Sequence, residues 1–483
     1  MAALPPEQCL QAYRGGLVVA GERSGVGKTT VTLALLAALG QRSRRVQSFK
    51  VGPDYIDPMF HQRVTGRPCY NLDPILTSPT YLQQCFTSHC EDAEFALVEG
   101  VMGLFDGAWG ESDVASTAHV ARLLNLPVLL VVDCSRLARS VLAIVHGFRS
   151  LDPNLQLAGV VLNRVGSDRH LELLKTALAS MNLPILGILH RQQDITIPDR
   201  HLGLVPAIEI PELPNLLDRL SHLGQHSFDW SRLEPLVRLS PPPSPGVSLA
   251  PGLPPAGSYP VRLALAQDQA FSFYYPDALQ MLARWGVELI PWSPLREENL
   301  PAAIDGLYLG GGFPEMFVAT LAANQGLCEQ IRQSIQAGLP VYAECGGLMY
   351  LAQALVDFEG QVWPLVGVLP TRVTMAHRLT LGYRQATGLS PQGLLPPGQQ
   401  VWGHEFHHSQ VSQPPDQPVY TLRRYQTPSI HSQEGWQIQG VHASYLHLHW
   451  GGCPAIARRF LTRCMEYHGN SPGCDQKNPI GSG

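Results

Sequence analysis

Apolar positions in this chain gather into short uninterrupted runs, separated by stretches of helical periodicity. Residues 16–20 form one run, Gly-Leu-Val-Val-Ala, which ends in a glycine-rich turn and gives way to the Leu- and Ala-rich residues 30–39. A run of that length without polar alternation predicts a strand buried on both faces, and 30–39 predicts a helix. Similar runs at 95–98, 128–132 and 158–162 alternate with helical stretches at 114–124 and 171–181. Such alternation predicts a doubly wound parallel sheet with helices on both faces. Between 237 and 259 the pattern dissolves into Pro, Gly and Ser, including Pro241, Pro242, Pro243, Pro245, Pro251, Pro254 and Pro255. That segment predicts a semi-rigid linker. Apolar runs at 261–266, 288–291, 306–309 and 340–343 then predict the strands of a second α/β domain. The expected organisation is 1–236, a linker at 237–259, 260–468 and a frayed tail at 469–483.

Two domains also suit a chain of 483 residues, which exceeds the size at which a single core stops growing. A composition of 45% hydrophobic and 15% charged residues, with net charge −5, argues against a broad nucleic-acid surface. No basic stretch followed by an apolar core opens the chain, and no apolar run reaches membrane-spanning length. A cytoplasmic location without membrane attachment is expected. The ten cysteines include no Cys-x-x-Cys pair and are expected to be small buried hydrophobes rather than a disulfide or zinc framework.

The first turn carries chemistry. Gly21-Glu22-Arg23-Ser24-Gly25-Val26-Gly27-Lys28-Thr29-Thr30 lies between predicted strand and helix, where successive backbone N–H groups can wrap phosphate oxygens. Lys28 can reach the β and γ phosphates, and Thr29 can ligate Mg²⁺. Gly25, Gly27, Lys28, Thr29 and Thr30 are therefore the expected nucleotide contacts. Five residues separate Gly21 from Gly27, one more than the common phosphate loop. This longer spacing resembles the dethiobiotin synthetase and MinD-like group, where Arg23 occupies the place of a signature lysine.

Several carboxylates stand where apolar strands end. Glu99 follows 95–98 directly, the usual layout for a second-strand Mg²⁺ ligand. Asp54 and Asp57 flank Tyr55 in Lys50-Val51-Gly52-Pro53-Asp54-Tyr55-Ile56-Asp57-Pro58, and spacing alone leaves open whether they are site residues or solvated turn carboxylates. Asp133 is expected to cap a helix. Asn163 ends a strand at a place suited to hydrogen-bonding an adenine ring.

A second chemistry appears in Pro340-Val341-Tyr342-Ala343-Glu344-Cys345-Gly346-Gly347, an apolar strand running into a cysteine, two glycines and a helix. Small neighbours permit the strained turn that exposes a nucleophile and aims backbone N–H groups at an oxyanion. Gly310, Gly311 and Gly312 are the expected second oxyanion element. The thiol needs a base: His447 is the candidate, with His404, His407, His408, His442 and His449 as rivals.

A phosphate loop and a cysteine elbow in one chain resemble the corrinoid glutamine amidotransferases. Gly-Val-Gly-Lys-Thr-Thr at 25–30, Lys-Val-Gly-Pro-Asp-Tyr-Ile-Asp-Pro at 50–58, Glu-Gly-Val-Met-Gly-Leu-Phe-Asp-Gly at 99–107, Gly-His-Glu-Phe-His at 403–407 and Tyr-Leu-His at 445–447 carry the resemblance over nearly the whole chain. The 52–57 segment sets the chain apart from the related cobyric acid synthases. The resemblance implies a P-loop-type, dethiobiotin-synthetase-like domain followed by a class I glutamine-amidotransferase-like α/β domain. It implies ATP, L-glutamine and cobyrinic acid or a related tetrapyrrole as substrates, with Mg²⁺ as cofactor. Its reaction phosphorylates the a and c acetates in turn and amidates each acyl phosphate with ammonia released from glutamine at a second site. Asp54, Glu99 and Asp106 would serve Mg-ATP and acyl-phosphate formation. Tyr55, Ile56 and Asp57 would face the tetrapyrrole, with Asp106 beside them, and Cys345 and His447 would form the glutaminase pair. Ordinary glutamine amidotransferases place Glu two residues after the histidine, whereas this chain has His449 there. The same chemistry on hydrogenobyrinic acid or a nickel sirohydrochlorin, a dethiobiotin-synthetase-like carboxylase and a MinD-like ATPase switch are the competing expectations. Cys345 and the second domain weigh against the carboxylase. The absence of an amphipathic membrane-targeting tail weighs against the switch. A homodimer is one assembly open to such a chain.

Overall fold

Residues 15–43, 45–191, 199–200, 203–204, 207–210, 212–240, 254–425 and 431–470 are described by the computed structural model. By internal contacts the chain divides into Met1–Pro251 and Gly252–Gly483. Residues 241–253 of the predicted linker and 471–483 of the predicted tail lie outside the described residues. Helix Pro454–Asn470 runs two residues into that tail.

In the first unit the strands are β1 (Leu17–Gly21), β2 (Val46–Val51), β3 (Tyr70–Leu72), β4 (Phe95–Glu99), β5 (Val128–Asp133), β6 (Leu157–Val165) and β7 (Ile185–His190); the four predicted apolar runs are β1, β4, β5 and β6. Every residue of β1, β4 and β5 is buried, as expected for strands covered on both faces. They form one parallel sheet in the order β3-β2-β4-β1-β5-β6-β7. Because the chain leaves β1 toward β2 on one side and later returns to β5 on the other, the carboxyl end of β1 lies at a topological switch point, where such sheets bind ligands. The helix expected at 30–39 extends over Lys28–Arg42. A small hairpin of β8 (Asp199–Arg200) and β9 (Gly203–Leu204) follows the sheet.

The second unit opens with β10 (Arg262–Ala266), β11 (Glu288–Trp292), β12 (Gly306–Leu309) and β13 (Val341–Glu344), the four strands that periodicity predicted. The chain then builds a second sheet from β14 (Ala352–Val356), β15 (Val362–Pro364), β16 (Leu369–Gly388), β17 (Gln400–Val411), β18 (Tyr420–Arg424) and β19 (His431–Glu434). It returns to the first sheet through β20 (Trp436–Ile438) and β21 (Val441–Ser444), and to the second through β22 (His447–Leu448). The first sheet runs β11-β10-β12-β13-β21-β20, parallel except for its last pair. Strands β13 and β21 are neighbours in register, Glu344 beside Ser444, so the residues after each emerge at the same end of the sheet. Of the eight described cysteines seven are buried and none is disulfide-bonded. No helix among the described residues is long and apolar enough to cross a membrane.

Candidate active sites

The glycine-rich loop leaves β1 and enters helix Lys28–Arg42 through positive φ at Gly25 (76°) and Gly27 (92°), a region that favours glycine. A Cβ on Gly27 would also stand 2.4 Å from Asn163 Nδ2. Asn163 donates from that nitrogen to the Val26 carbonyl at 2.7 Å and accepts from the Arg164 N–H at 2.9 Å. Expected beside an adenine ring, the Asn163 amide braces the phosphate loop. The loop after β4 closes over the other side: Leu104 N donates to the Gly21 carbonyl at 2.8 Å, and Lys28 Nζ donates to the Met102 carbonyl. Burial first, and then the charge of Lys50, lower the Lys28 pKa to about 8. Thr30 is half-buried in the same helical turn. Arg23, at the signature-lysine position, is exposed and pairs with Glu22 and with Asp133. Asp133 accepts from the Ser135 N–H at 2.9 Å and from Arg164 at 2.6 Å, in keeping with a local structural part.

Beneath the loop lies a buried polar cluster. Lys50 and Glu99 are register partners on the adjacent strands β2 and β4. Lys50 Nζ donates to Asp57 Oδ2, to Glu99 Oε1 at 3.0 Å and to the Gly100 carbonyl at 3.2 Å, and it lies 3.7 Å from Asp54 Oδ2. Thr29 Oγ1 lies 2.7 Å from Glu99 Oε1 and 3.3 Å from Asp57 Oδ2. His61 Nε2 lies 2.7 Å from Glu99 Oε2, and Cys69 Sγ is 3.3 Å from His61 Nδ1. Burial would raise the Glu99 carboxyl, but Lys50 and His61 outweigh it and hold the group below the carboxylate range. Asp57 goes the other way: burial and then the Asp54 charge push it up to about 7 against the pull of Lys50. Burial opposes charge on His61, yet Cys69 and Glu99 raise it to about 10.

This geometry changes the expected assignments. Asp57, expected at the tetrapyrrole, turns its carboxylate into the cluster with Thr29, Lys50 and Glu99. Tyr55 and Ile56 are 5% and 6% exposed, so their side chains pack inward rather than forming an open face. Asp54 accepts from the N–H groups of Ile56 at 2.9 Å and Asp57 at 3.1 Å, a side-chain turn that leads into the helix Asp57–Thr65. Its other oxygen remains toward Lys50. Asp106 is exposed and accepts from the Gly103 N–H at 2.8 Å, shaping the loop over Lys28. No group of three or more His, Cys, Asp or Glu side chains among the described residues forms a metal cage by itself. An all-oxygen set of Thr29, Asp54, Asp57 and Glu99 nevertheless suits Mg²⁺, which ordinarily takes one or two carboxylates and completes its shell with phosphate and water.

In the second unit Cys345 follows β13 with φ 45° and ψ −98°, a strained conformation for a residue with a Cβ. Its N–H donates to the Ser444 carbonyl at 2.8 Å, and Gly347 N donates to the Gly310 carbonyl at 3.0 Å. Those bonds tie the elbow to the end of β21 and to the glycine run after β12. The thiol is 3% exposed and donates to the Phe406 carbonyl at 3.7 Å; burial, then Glu315 and Glu344, raise its pKa well above the thiol range. His447 is buried three residues past Ser444, and burial, then His404 and His407, lower its pKa to about 3. A neutral imidazole and a protonated thiol suit general-base activation rather than a resting ion pair. A Cβ on Gly311 would lie 2.4 Å from His447 Cε1, so the glycine run also makes room for that ring.

Four of the five rival histidines are turned to other groups. His442 Nε2 lies 3.0 Å from the Tyr420 hydroxyl, His407 Nδ1 is 2.9 Å from the Ser409 carbonyl, and His408 Nδ1 is 3.1 Å from the Ala376 carbonyl. His404 is the cross-strand partner of His447. His449 Nε2 lies 3.3 Å from Asp277 Oδ2. Glu344, which sequence reasoning passed over, places Oε2 3.9 Å from His447 Nδ1. Lys50, His61 and Glu344 were missed: Glu344 carries the signal that marked Glu99, a charge at the end of an apolar strand, whereas Lys50 lies inside a strand of mixed polarity, Val-Gln-Ser-Phe-Lys-Val.

A phosphate loop backed by a buried carboxylate cluster, joined in one chain to a cysteine elbow with a neutral histidine, defines an ATP-dependent glutamine amidotransferase. Residues 17–205 match the CobQ/CobB/MinD/ParA nucleotide binding domain and 262–454 the CobB/CobQ-like glutamine amidotransferase domain. The chain is 55% identical to a cobyrinate a,c-diamide synthase of Synechococcus sp., over 93% of this chain and 98% of the relative. It is 53% identical to one of Synechocystis sp., over 93% and 94%, and 42% identical to a hydrogenobyrinate a,c-diamide synthase of Streptomyces coelicolor, over 93% and 97%. The chain belongs to the cobyrinate a,c-diamide synthase family, carbon–nitrogen ligases that take their amide nitrogen from glutamine.

Proposed function

We propose that this protein converts the a and c acetate carboxylates of cobyrinic acid to carboxamides in two successive cycles. The observation that carries the reading is the pairing of Lys28 and the Thr29–Glu99 contact in one unit with the Cys345 elbow and His447 in the other. An acetate oxygen attacks the γ-phosphorus of ATP, the bond to the β-phosphate oxygen breaks, and an acyl phosphate and ADP result. Lys28 offsets charge on the transferring group, and the backbone N–H groups of residues 25–30 hold the phosphates. Thr29, Asp54, Asp57 and Glu99 would hold Mg²⁺, which when bound neutralises phosphate charge.

Cys345 Sγ attacks the side-chain amide carbon of glutamine as His447 takes the thiol proton. His447 then gives that proton to the departing nitrogen, which leaves as ammonia, and water resolves the γ-glutamyl thioester to glutamate. Ammonia attacks the acyl carbon, and phosphate departs. Asp106, exposed on the loop over Lys28, is the proposed contact for the reacting acetate.

Hydrogenobyrinic acid is the second reading, favoured by the Streptomyces coelicolor relative. Initial rates with ATP, glutamine and either cobyrinic acid, hydrogenobyrinic acid or nickel sirohydrochlorin decide the substrate. The reading expects the highest kcat/KM with cobyrinic acid. A higher value with the nickel compound would overturn it.

A further inference from the structure

We propose that Glu344 is a positioning residue for His447, supplying from the residue before the nucleophile the acid that ordinary glutamine amidotransferases carry two residues after the histidine. The inference deepens the glutaminase half of the proposed function and rests on it. Position 449, where that acid would stand, holds a buried histidine that faces Asp277 at 3.3 Å and packs on Tyr275 with ring centroids 4.4 Å apart. Glu344 ends β13, is 2% exposed, and reaches the histidine strand twice. Its Oε1 accepts from the Leu448 N–H at 3.0 Å, which fixes the backbone beside His447, and its Oε2 lies 3.9 Å from His447 Nδ1. The hydroxyls of Tyr342, at 2.7 Å, and Tyr308, at 3.5 Å, donate to the same carboxylate and orient it.

A buried carboxylate at Nδ1 has a definite consequence. It selects the tautomer that carries its proton on Nδ1, leaves Nε2 as the basic nitrogen, and stabilises the imidazolium that forms when the Cys345 proton arrives. The 3.9 Å separation is longer than a hydrogen bond, as catalytic contacts often are before substrate tightens them. In this role Glu344 acts through the ring rather than on glutamine or the sulfur.

Glu344→Gln in the full chain tests this, because the amide keeps the size of Glu344 and an acceptor for Tyr342 and Leu448. The expected result is a fall of about 10²-fold or more in glutaminase kcat, as for a wrong tautomer, with KM for glutamine nearly unchanged and ammonia-supported synthesis retained. A purely structural Glu344 predicts the opposite: Gln restores glutaminase relative to Glu344→Ala, and wild-type-like kcat in Glu344→Gln overturns the proposal. If Gln unsettles the fold, seen as lost ammonia-supported synthesis, Glu344→Asp replaces it. That variant keeps a carboxylate and is expected to retain KM with a smaller loss of kcat; a raised KM with unchanged kcat overturns the proposal. Failure of the amidotransferase reading itself would look different, because Cys345→Ser would then keep full glutamine-dependent synthesis.

Discussion

Gly311 and His447 are packed so closely that a Cβ on Gly311 would sit 2.4 Å from His447 Cε1, with Nδ1 at 3.3 Å. The glycine therefore sets where the imidazole stands. Gly311→Ala must displace the ring or the loop, an overpacking of about 1–3 kcal/mol. Glutaminase activity is expected to fall at least about 10-fold, since small misplacements of a base are costly, while ammonia-supported synthesis persists. Equal loss of both activities would show instead that the substitution unfolds the unit.

Thiol chemistry follows from the burial of Cys345. A protonated, 3%-exposed sulfur bonded to the Phe406 carbonyl should alkylate slowly with iodoacetamide at neutral pH and become reactive when a glutamine-like electrophile fills the site. Cys345→Ser should lose glutamine-dependent synthesis and keep synthesis from added ammonia. Rapid alkylation of Cys345 without a substrate analogue would contradict the general-base mechanism.

Lys28 separates the two half-reactions from the other side. Lys28→Ala is expected to lower synthesis at least about 10²-fold with either nitrogen source, while basal glutaminase survives. Wild-type synthesis by this variant would remove the phosphate-loop assignment.

Stability should carry the mark of Glu344. Burial raises its carboxyl from 4.5 to about 7, so the folded state favours the protonated form. Between those values the folded chain binds more protons than the unfolded one. Stability from this group is full below about pH 4.5, is lost as pH rises through about 7, and amounts to about 3 kcal/mol in all. Gln cannot ionise. The difference in melting temperature, Glu344→Gln minus wild type, should therefore grow between pH 5 and pH 8. Glu434, also raised to about 7 by burial, is present in both proteins and cancels. A difference that stays flat with pH would contradict the linkage.

Most of the parallel framework was legible because its strands are covered on both faces and read as unbroken apolar runs. The phosphate loop and the elbow were legible because glycine spacing records backbone conformation directly, as positive φ at Gly25 and Gly27 shows. Strand β16 was not. It alternates from Leu369 to Met375, but Pro370 and Arg372 fall on its exposed side and buried Thr371 breaks the apolar series. Its pairing to β17 also shifts register between Met375 and Thr380, so no single period spans it. Site chemistry that depends on two strands meeting was hidden as well. Lys50 beside Glu99, and Glu344 beside the strand leading to His447, are register relationships between segments 49 and about 100 residues apart. Spacing left Asp54 and Asp57 open because the inward turn of Asp57 depends on a contact with Lys50 of the preceding strand and on the Asp54 turn that leads into the helix, neither of which a linear spacing records.

In the proposed mechanism ATP cleavage, glutamine hydrolysis and amide formation are one coupled reaction on a tetrapyrrole. Glutamine labelled with ¹⁵N in its side-chain amide, supplied with ATP and cobyrinic acid, measures this directly when product mass, ADP and glutamate are followed together. A monoamide and then a diamide are expected, with one labelled nitrogen, one ADP and one glutamate for each carboxylate converted. Glutamate and ADP formed without labelled nitrogen entering the tetrapyrrole would contradict it.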